Sequence, residues 1–219
     1  MITRYAEAVL RFRWLIILAS LALVGLAASG LRFFSMDTNY RAFFDESNPQ
    51  LQAFENLQDN YDKSDNVLFV LTPKNGDVFT PQSLETIQWL TKEAWQTPFS
   101  TRVDSITNYQ HTKAVEDDLE VADLVSDPQA MSLEDLRYVR EVATNEPLLV
   151  KRLVSPDGQI ASVNVSFHLP QKTLSEVPEA VAFVRDLQQR TMALDPNMEV
   201  RLTGIVMMNN AFAEASQND

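Results

Sequence analysis

Hydrophobic positions are spread unevenly along the chain, and the longest apolar run lies near the N-terminus. Residues 14–31 (WLIILASLALVGLAASGL) contain no charged side chain. A helix of this length spans about 27 Å at a rise of ~1.5 Å per residue, close to the ~30 Å hydrocarbon core of a bilayer. The pattern therefore predicts a transmembrane helix at residues 14–31, preceded by a short N-terminal segment at residues 1–13.

The basic residues that flank this run predict its orientation. Arg4, Arg11 and Arg13 precede it, against two arginines that follow. Because basic residues favour the cytoplasmic side, we expect a cytoplasmic N-terminus and an extracytoplasmic, periplasmic location for residues 32–219. A cleaved signal peptide shares the basic flank and the small residues, but its apolar core usually has only about 7–15 residues. In either case the rest of the chain would leave the cytoplasm.

The remaining chain alternates between helix-like and strand-like patterns. Residues 32–65 form a connecting segment with a helix that starts at Asn48-Pro49. The elements predicted next are a strand at 66–72, a helix at 81–97, a strand at 102–107, a helical insert at 113–147, a hairpin with arms at 148–155 and 160–169, a helix from Ser175 to 194, a strand at 199–204 and a final helix at 205–219. Without the insert and the first hairpin arm, the order is β-α-β-β-α-β, the pattern of ferredoxin-like folds. We therefore predict the α+β class, with one transmembrane helix ahead of a ferredoxin-like domain at 66–204.

Alternation along the second hairpin arm predicts which face of that strand is buried. Its apolar positions are Ala161, Val163, Val165 and Phe167, and its polar positions are Ser162, Asn164, Ser166 and His168. Successive side chains of a strand point to opposite faces. We therefore expect the four apolar side chains to lie buried together beneath the helices at 81–97 and 175–194.

The charge and the missing cysteines exclude several functions. The formal net charge is −12 at pH 7, which argues against nucleic acid as a partner, because its phosphates would be repelled. The same charge disfavours docking on anionic lipid headgroups. The chain contains no cysteine, which excludes disulfides, thiol catalysis and cysteine-ligated metals.

Candidate catalytic and metal-binding residues are sparse. The five glycines form no nucleotide-binding fingerprint, and His111 and His168 lack metal-ligand spacing. Asp59, Asp62 and Asp65 have the spacing of a calcium loop but lack its central glycine and closing glutamate, so we interpret them as a polar linker. We expect no enzymatic activity, no cofactor and no metal, and the sequence identifies no catalytic or substrate-binding residue.

Two further groups of side chains, one acidic and one aromatic, indicate surface features. The acidic residues of the 116–127 run are Glu116, Asp117, Asp118, Glu120, Asp123 and Asp127. We interpret them as a solvated face near a helix start, with a cation site or a contact with a basic partner as the alternative. Trp89 and Trp95 fall off the apolar stripe of their helix, near Phe99 and Tyr109. They predict a second packed surface or an interaction patch.

Four stretches, taken in order, carry a resemblance to a known family. They are RFRWLIILASLALVGLAASG (11–30), MDTNYRAFFDESNPQLQAFENLQDNY (36–61), NEPLLVKRLVSPDGQIASVNVSF (145–167) and the LTG of 202–204 ahead of a helix. Together they resemble the start of an RND-superfamily exporter of the MMPL/Patched-like kind. The resemblance implies an inner-membrane protein that moves hydrophobic or lipid-like substrates with the proton gradient. It also implies that residues 66–204 are the first porter domain and that 205–219 lead toward a second membrane helix.

The same resemblance implies binding partners, and it implies that transport needs other parts of the exporter. The partners would be the lipid bilayer, the remaining transmembrane helices, a second porter domain and the substrate, and a homo-oligomer stays open. Residues 14–31 hold no ionisable side chain that could relay protons. We therefore expect an N-terminal fragment that is not transport-competent alone. The alternative is a single-pass, membrane-anchored extracytoplasmic binding or adaptor domain.

Overall fold

The computed structural model describes residues 10–30, 45, 47–60, 65–115, 118–170, 173 and 175–218. Two compact units divide the chain, Met1–Asp37 and Thr38–Asp219. Asp62 and the acidic pair Glu116 and Asp117 lie outside the described residues.

The first unit contains helix α1 (Arg13–Ser29), which overturns the predicted transmembrane helix at 14–31. No helix among the described residues is both long enough and apolar enough to cross a membrane. Helix α1 begins at a charged residue and ends after 17 residues, where the N–H of Gly30 bonds to the carbonyls of Ala27 and Ala28. It is therefore shorter by one residue than the 18-residue apolar run that predicts it. The membrane part of the predicted fold is therefore wrong.

The second unit is built from helices and strands in alternation, and its α+β class is confirmed. Its described elements are α2 (Pro49–Asn60), β1 (Asn66–Pro73), α3 (Pro81–Ala94), β2 (Ser100–Asp104), β3 (Gln110–Val115), β4 (Asp118–Asp123), a 3₁₀ helix (Pro128–Ala130), α4 (Leu133–Asn145), β5 (Ala161–Phe167), α5 (Glu176–Leu194), β6 (Met198–Thr203) and α6 (Ile205–Asn218).

One four-stranded sheet organises this unit, in the order β2-β5-β1-β6. All three neighbouring pairs are antiparallel. With the segment between β2 and β5 set aside, the chain runs β-α-β-β-α-β, the order that the sequence predicts. Helices α3 and α5 pack on each other and on the same face of the sheet, so the opposite face is left without a helix from either crossover.

Alternation along β1, and less strictly along β5, places the core between the sheet and these two helices. Val67, Phe69 and Leu71 of β1 are 0% exposed, whereas Leu68 and Val70 between them are half-buried. On β5, the predicted apolar positions are all at most 1% exposed and join the cluster formed with α3 and α5. The predicted register is confirmed. Full burial of each large apolar side chain contributes about 1.5–3 kcal/mol.

The first predicted hairpin arm, 148–155, is wrong as a strand. Its residues form turns, with isolated bridges that join Val154 to Val150 and to Ala161. Lys151 has φ +63°, and this left-handed conformation breaks any ladder because strands need φ near −140°. The turn after it is as predicted, with Gly158 at φ +72°.

The insert predicted as helical over 113–147 is helical only in its second part. Its first part is an antiparallel hairpin of β3 and β4, which the bond from Leu124 N to the Tyr109 carbonyl (2.8 Å) continues toward the core. Helix α4 begins at a capping box, in which Ser132 Oγ accepts from Asp135 N and the Asp135 carboxylate accepts from Ser132 N. Leu119 and Val121 alternate with carboxylates, which is a strand signal rather than a helix start.

The predicted helix starts have mixed outcomes. Asn48 Oδ1 accepts a hydrogen bond from Gln50 N (2.9 Å) at the predicted start of α2, and Thr80 caps α3 through Ser83 N. Ser175 is the predicted cap of α5, but its side chain makes no capping hydrogen bond. The Glu176 carboxylate instead accepts from Thr173 N at 3.0 Å.

Candidate functional site

A groove of about 580 Å³ lies on the sheet face that α3 and α5 leave uncovered. It runs between the sheet, the β2–β3 connection and the turns that precede β5. Its lining residues are Asn66, Leu68, Arg102, Asp104, Ser105, Asn108, Tyr109, Gln110, Leu148, Leu149, Arg152, Leu153 and Asn164. We call it the sheet-side groove.

The floor of the sheet-side groove is set by the alternation of β1 and β5. Asn66, Leu68 and Asn164 point away from the core because Val67, Phe69, Val163 and Val165 point into it. Asn66 Nδ2 donates to Asn164 Oδ1 (2.8 Å). This bond joins the two amides into an uncharged polar floor beside Leu68.

One wall is a tight turn after β2 that is fixed by its own side chains. Asn108 Oδ1 accepts from Ser105 N (2.8 Å), and Asn108 Nδ2 donates to the Val103 carbonyl (2.7 Å). Ser105 Oγ is buried and accepts from Thr91 Oγ1 (2.9 Å). These hydrogen bonds hold the wall rigid, and they join the Ser105 hydroxyl to hydroxyl and amide groups rather than to a base that could activate it as a nucleophile.

The opposite wall is the segment 148–153, which is tied to β5 through its backbone. Ser162 N donates to the Leu153 carbonyl (2.8 Å), and Ser162 Oγ donates to the Arg152 carbonyl (3.1 Å). Leu149 anchors the segment at 1% exposure, while Leu148 is 57% exposed. The strained φ of Lys151 turns the chain between these leucines and Arg152.

Charges in the sheet-side groove are few and partly paired. Arg102 Nε donates to Asp104 Oδ1 (2.7 Å), and Arg152 is exposed. Burial raises the pKa of the Tyr109 phenol, and the neighbouring Glu146 carboxylate raises it further. The phenol therefore stays protonated at physiological pH. The groove combines leucines, amides and guanidinium groups, an arrangement suited to binding a ligand of mixed polarity rather than to catalysis.

The structure does not bring the two histidines together, and neither lines the groove. His111 Nε2 lies 2.9 Å from the Tyr138 hydroxyl on α4. The backbone N–H of exposed His168 donates to the Phe99 carbonyl. In the described part of the chain, no three histidine or carboxylate side chains converge in a way that could hold a metal ion.

The acidic run lies on the hairpin rather than at a helix start. Asp118, Glu120 and Asp123 are exposed on β4. Asp127 is the exception, since its carboxylate accepts from Gln129 N (3.2 Å) and caps the 3₁₀ helix. The predicted solvated face is thus seen at a strand, and the predicted helix start is wrong for these three residues.

The off-stripe aromatic residues have separate environments. Trp89 is half-buried, with the Arg190 guanidinium 5.3 Å from its ring centroid, and Trp95 is 50% exposed. Tyr109 lines the sheet-side groove, and Phe99 packs against the core.

The sequence predicts the polar face of β5, which includes Asn164. It does not predict the groove wall at 148–153, because that wall depends on the positive φ of Lys151.

Comparisons with known proteins add no family. No protein-family model matches the chain, and no curated protein is similar to it in sequence. Function is therefore inferred from the geometry of the second unit and from the resemblance of the four stretches.

Proposed function

We propose that the second unit is the extracytoplasmic porter-type domain of an RND-superfamily exporter of the MMPL/Patched-like kind. Its substrates would be hydrophobic or lipid-like, and its drive the proton gradient acting elsewhere in the exporter. In this proposal residues 66–204 lie on the outer side of the inner membrane, and no membrane crossing is assigned to α1. The observation that carries the proposal is the sheet-side groove on a βαββαβ sheet whose two crossover helices lie on the opposite face.

The lining of the sheet-side groove suits an amphiphile. Leu68, Leu148 and Leu153 offer apolar surface, and each methylene of a ligand that they bury would contribute about 0.8 kcal/mol. The guanidinium groups of Arg102 and Arg152 lie in the same lining. A substrate with an apolar chain and a polar end can therefore satisfy both kinds of surface at once.

The packing of the second unit suits a domain that moves as a rigid body. Buried side chains from β1, β5, β6, α3 and α5 form one continuous hydrophobic cluster. A continuous core resists bending within the unit because protein interiors are close-packed. Alternating access in transporters commonly occurs by rocking of such rigid bodies against each other. A second porter domain would then be the partner that covers the sheet-side groove.

A dye-retention assay tests the transport proposal. Cells that lack the whole exporter containing this domain should retain a fluorescent hydrophobic dye more strongly than cells that make the whole exporter, and a protonophore should remove the difference. Leu148→Asp should abolish the effect because it places a carboxylate in the groove. Leu133→Asp is the matched control, since Leu133 is 76% exposed on α4 and lies outside the groove. Equal retention with and without the protein would overturn the proposal.

A second candidate is an extracytoplasmic binding or adaptor domain without a role in transport. It is favoured by the continuous core of the second unit, which makes a stable binding scaffold by itself. The two candidates differ in cells. A binding domain would bind a lipid-like probe in the sheet-side groove. Its loss would not create a difference in dye retention that a protonophore removes.

A further inference from the structure

The β3–β4 hairpin is a two-stranded sheet that is separate from the four-stranded sheet. In the described part of the chain, β4 pairs with β3 on one side and with no strand on the other. Two strands alone are at most marginally stable in water, and the open edge of a strand is a template for pairing with another chain. The outer edge of β4 is therefore a place where a further strand could bind.

The register of the hairpin divides its side chains between two faces. Lys113 lies opposite Glu120, on the face turned toward α4, where Lys113 Nζ is 5.2 Å from the centroid of the Tyr138 ring. Leu119 and Val121 lie on the other face, because successive side chains of a strand alternate. Their exposed fractions are 73% and 60%. One face of β4 is therefore apolar and open to solvent.

The charge of the hairpin selects the kind of strand that fits this edge. Residues 110–123 carry five carboxylates against one lysine, and Asp118 and Glu120 are exposed on the face of β4 opposite to Leu119 and Val121. A second copy of the hairpin would bring like charges together, which is destabilising across paired strands. The same carboxylates repel nucleic acid and anionic lipid. A basic polypeptide is attracted instead.

A strand beside β4 must also match both of its faces. Residues beside Leu119 and Val121 should be apolar, and residues beside Asp118 and Glu120 should be lysine or arginine. We infer that the outer edge of β4 binds an extended segment of a partner protein in which basic and apolar residues alternate. Backbone hydrogen bonds would hold the segment, and its alternating side chains would give specificity. This inference goes beyond the exporter proposal and does not depend on it.

Two peptides of identical composition test this inference. The first has the alternating sequence Lys-Val-Lys-Val-Lys-Val-Lys, and the second has the same residues in two blocks, Lys-Lys-Lys-Lys-Val-Val-Val. Each peptide carries a fluorescein label, and its fluorescence anisotropy is followed as the full chain is added. The alternating peptide should saturate and bind about tenfold more tightly or better, because it alone places apolar and basic side chains on the matching faces. Added salt should weaken its binding.

Substitutions on β4 test the two faces separately. The double variant Leu119→Thr, Val121→Thr keeps residues that favour strands, and it should weaken binding of the alternating peptide about tenfold. Glu120→Gln should weaken binding about threefold and reduce its salt dependence. Leu133→Thr and Glu134→Gln are the matched controls, since both residues are exposed on α4 outside the hairpin. Neither control should change the affinity.

Four results would overturn this inference. The first is equal affinity for the two peptides, or saturation with neither. The second is unchanged affinity in the double variant Leu119→Thr, Val121→Thr. The third is self-association in sedimentation velocity that the double variant removes, because a second copy would then occupy the edge. The fourth is binding to neutral phosphatidylcholine vesicles that the double variant removes, because the apolar face would then contact lipid.

Discussion

The ring of Phe79 lies directly against Gly158. A Cβ placed on Gly158 would come within 2.9 Å of Phe79 Cε2. The Arg140 guanidinium lies 4.9 Å from the centroid of the same ring, and it pairs with Asp77 at 2.5 Å. The loop after β1, helix α4 and the turn before β5 therefore meet at one point, which fastens the insert to the core.

Gly158→Ala should lower the free energy of unfolding by about 2–5 kcal/mol. The left-handed backbone at φ +72° penalises any side chain by roughly 1–2 kcal/mol, and crowding of a packed ring adds about 1–3 kcal/mol. Urea unfolding followed by far-UV circular dichroism measures the change. Gly76→Ala is the control because Gly76 has φ +73° and a methyl group added there would meet no atom within 4 Å. The free energy of unfolding of Gly76→Ala should fall only by the backbone contribution. If Gly158→Ala and Gly76→Ala lose the same free energy of unfolding, Phe79 does not constrain position 158.

Truncations of two adjacent residues of β1 should differ sharply. Phe69→Ala should destabilise the fold by about 3–5 kcal/mol, because Phe69 is 0% exposed and its loss leaves a cavity. Leu68→Ala removes a half-buried side chain from the sheet-side groove and should change stability by about 1 kcal/mol or less. Guanidinium unfolding of both variants checks this. A reversed order would place the wrong face of β1 in the core.

Lys151→Gly should stabilise the protein. The φ of +63° at Lys151 carries a penalty of roughly 1–2 kcal/mol for a residue with a Cβ, whereas the added freedom of glycine in the unfolded chain costs about 0.4–1 kcal/mol. The net gain should be about 0.5–1 kcal/mol, read from the urea midpoint. Lys151→Ala keeps the backbone penalty and should give no such gain. If both variants behave alike, the side chain rather than the backbone conformation sets the effect.

The ion pair between Arg185 on α5 and Glu214 on α6 should make stability depend on pH. Arg185 Nη1 lies 2.7 Å from Glu214 Oε1, and the hydrogen bonds from Arg185 are the main cause that lowers the pKa of Glu214 from its ordinary value of 4.5. A lowered folded-state pKa gives stability that is fully present above the unfolded-state pKa and is lost as pH falls through the folded-state pKa.

Wild type should therefore be more stable than Glu214→Gln at neutral pH, and the difference should shrink once pH falls below about 4.5. Urea unfolding at a series of pH values measures it. Glu179→Gln, an exposed change on α5, serves as the control for losing one carboxylate. A difference between wild type and Glu214→Gln that stayed constant down to acidic pH would contradict a contribution from this pair.

Local alternation is the part of this fold that the sequence predicts best. Val163 and Val165 alternate with Ser162 and Asn164, and that period sets the register of β5 without knowledge of its neighbours. The same period is present at Leu119 and Val121, but carboxylates at the alternating positions favour a helix-start interpretation, so the β3–β4 hairpin is missed.

The sheet-side groove is harder to predict because it depends on distant segments that meet in space. Asn66, Tyr109 and Arg152 share the sheet-side groove although they lie far apart in the chain. The left-handed backbone of Lys151 could not be predicted from its residue type, because this conformation is unusual for a residue with a Cβ.

The central position of β1 has a consequence for how the chain is made. Strand β1 is synthesised early, but both of its neighbours in the sheet, β5 and β6, come from residues 161–167 and 198–203. Until those residues leave the ribosome, the backbone of β1 has no strand to pair with, and α5, which helps to cover Val67, Phe69 and Leu71, is not yet complete. Chains with such distant pairings fold slowly and expose apolar strands to aggregation meanwhile. During translation the β1 segment is therefore a natural point for a chaperone to bind.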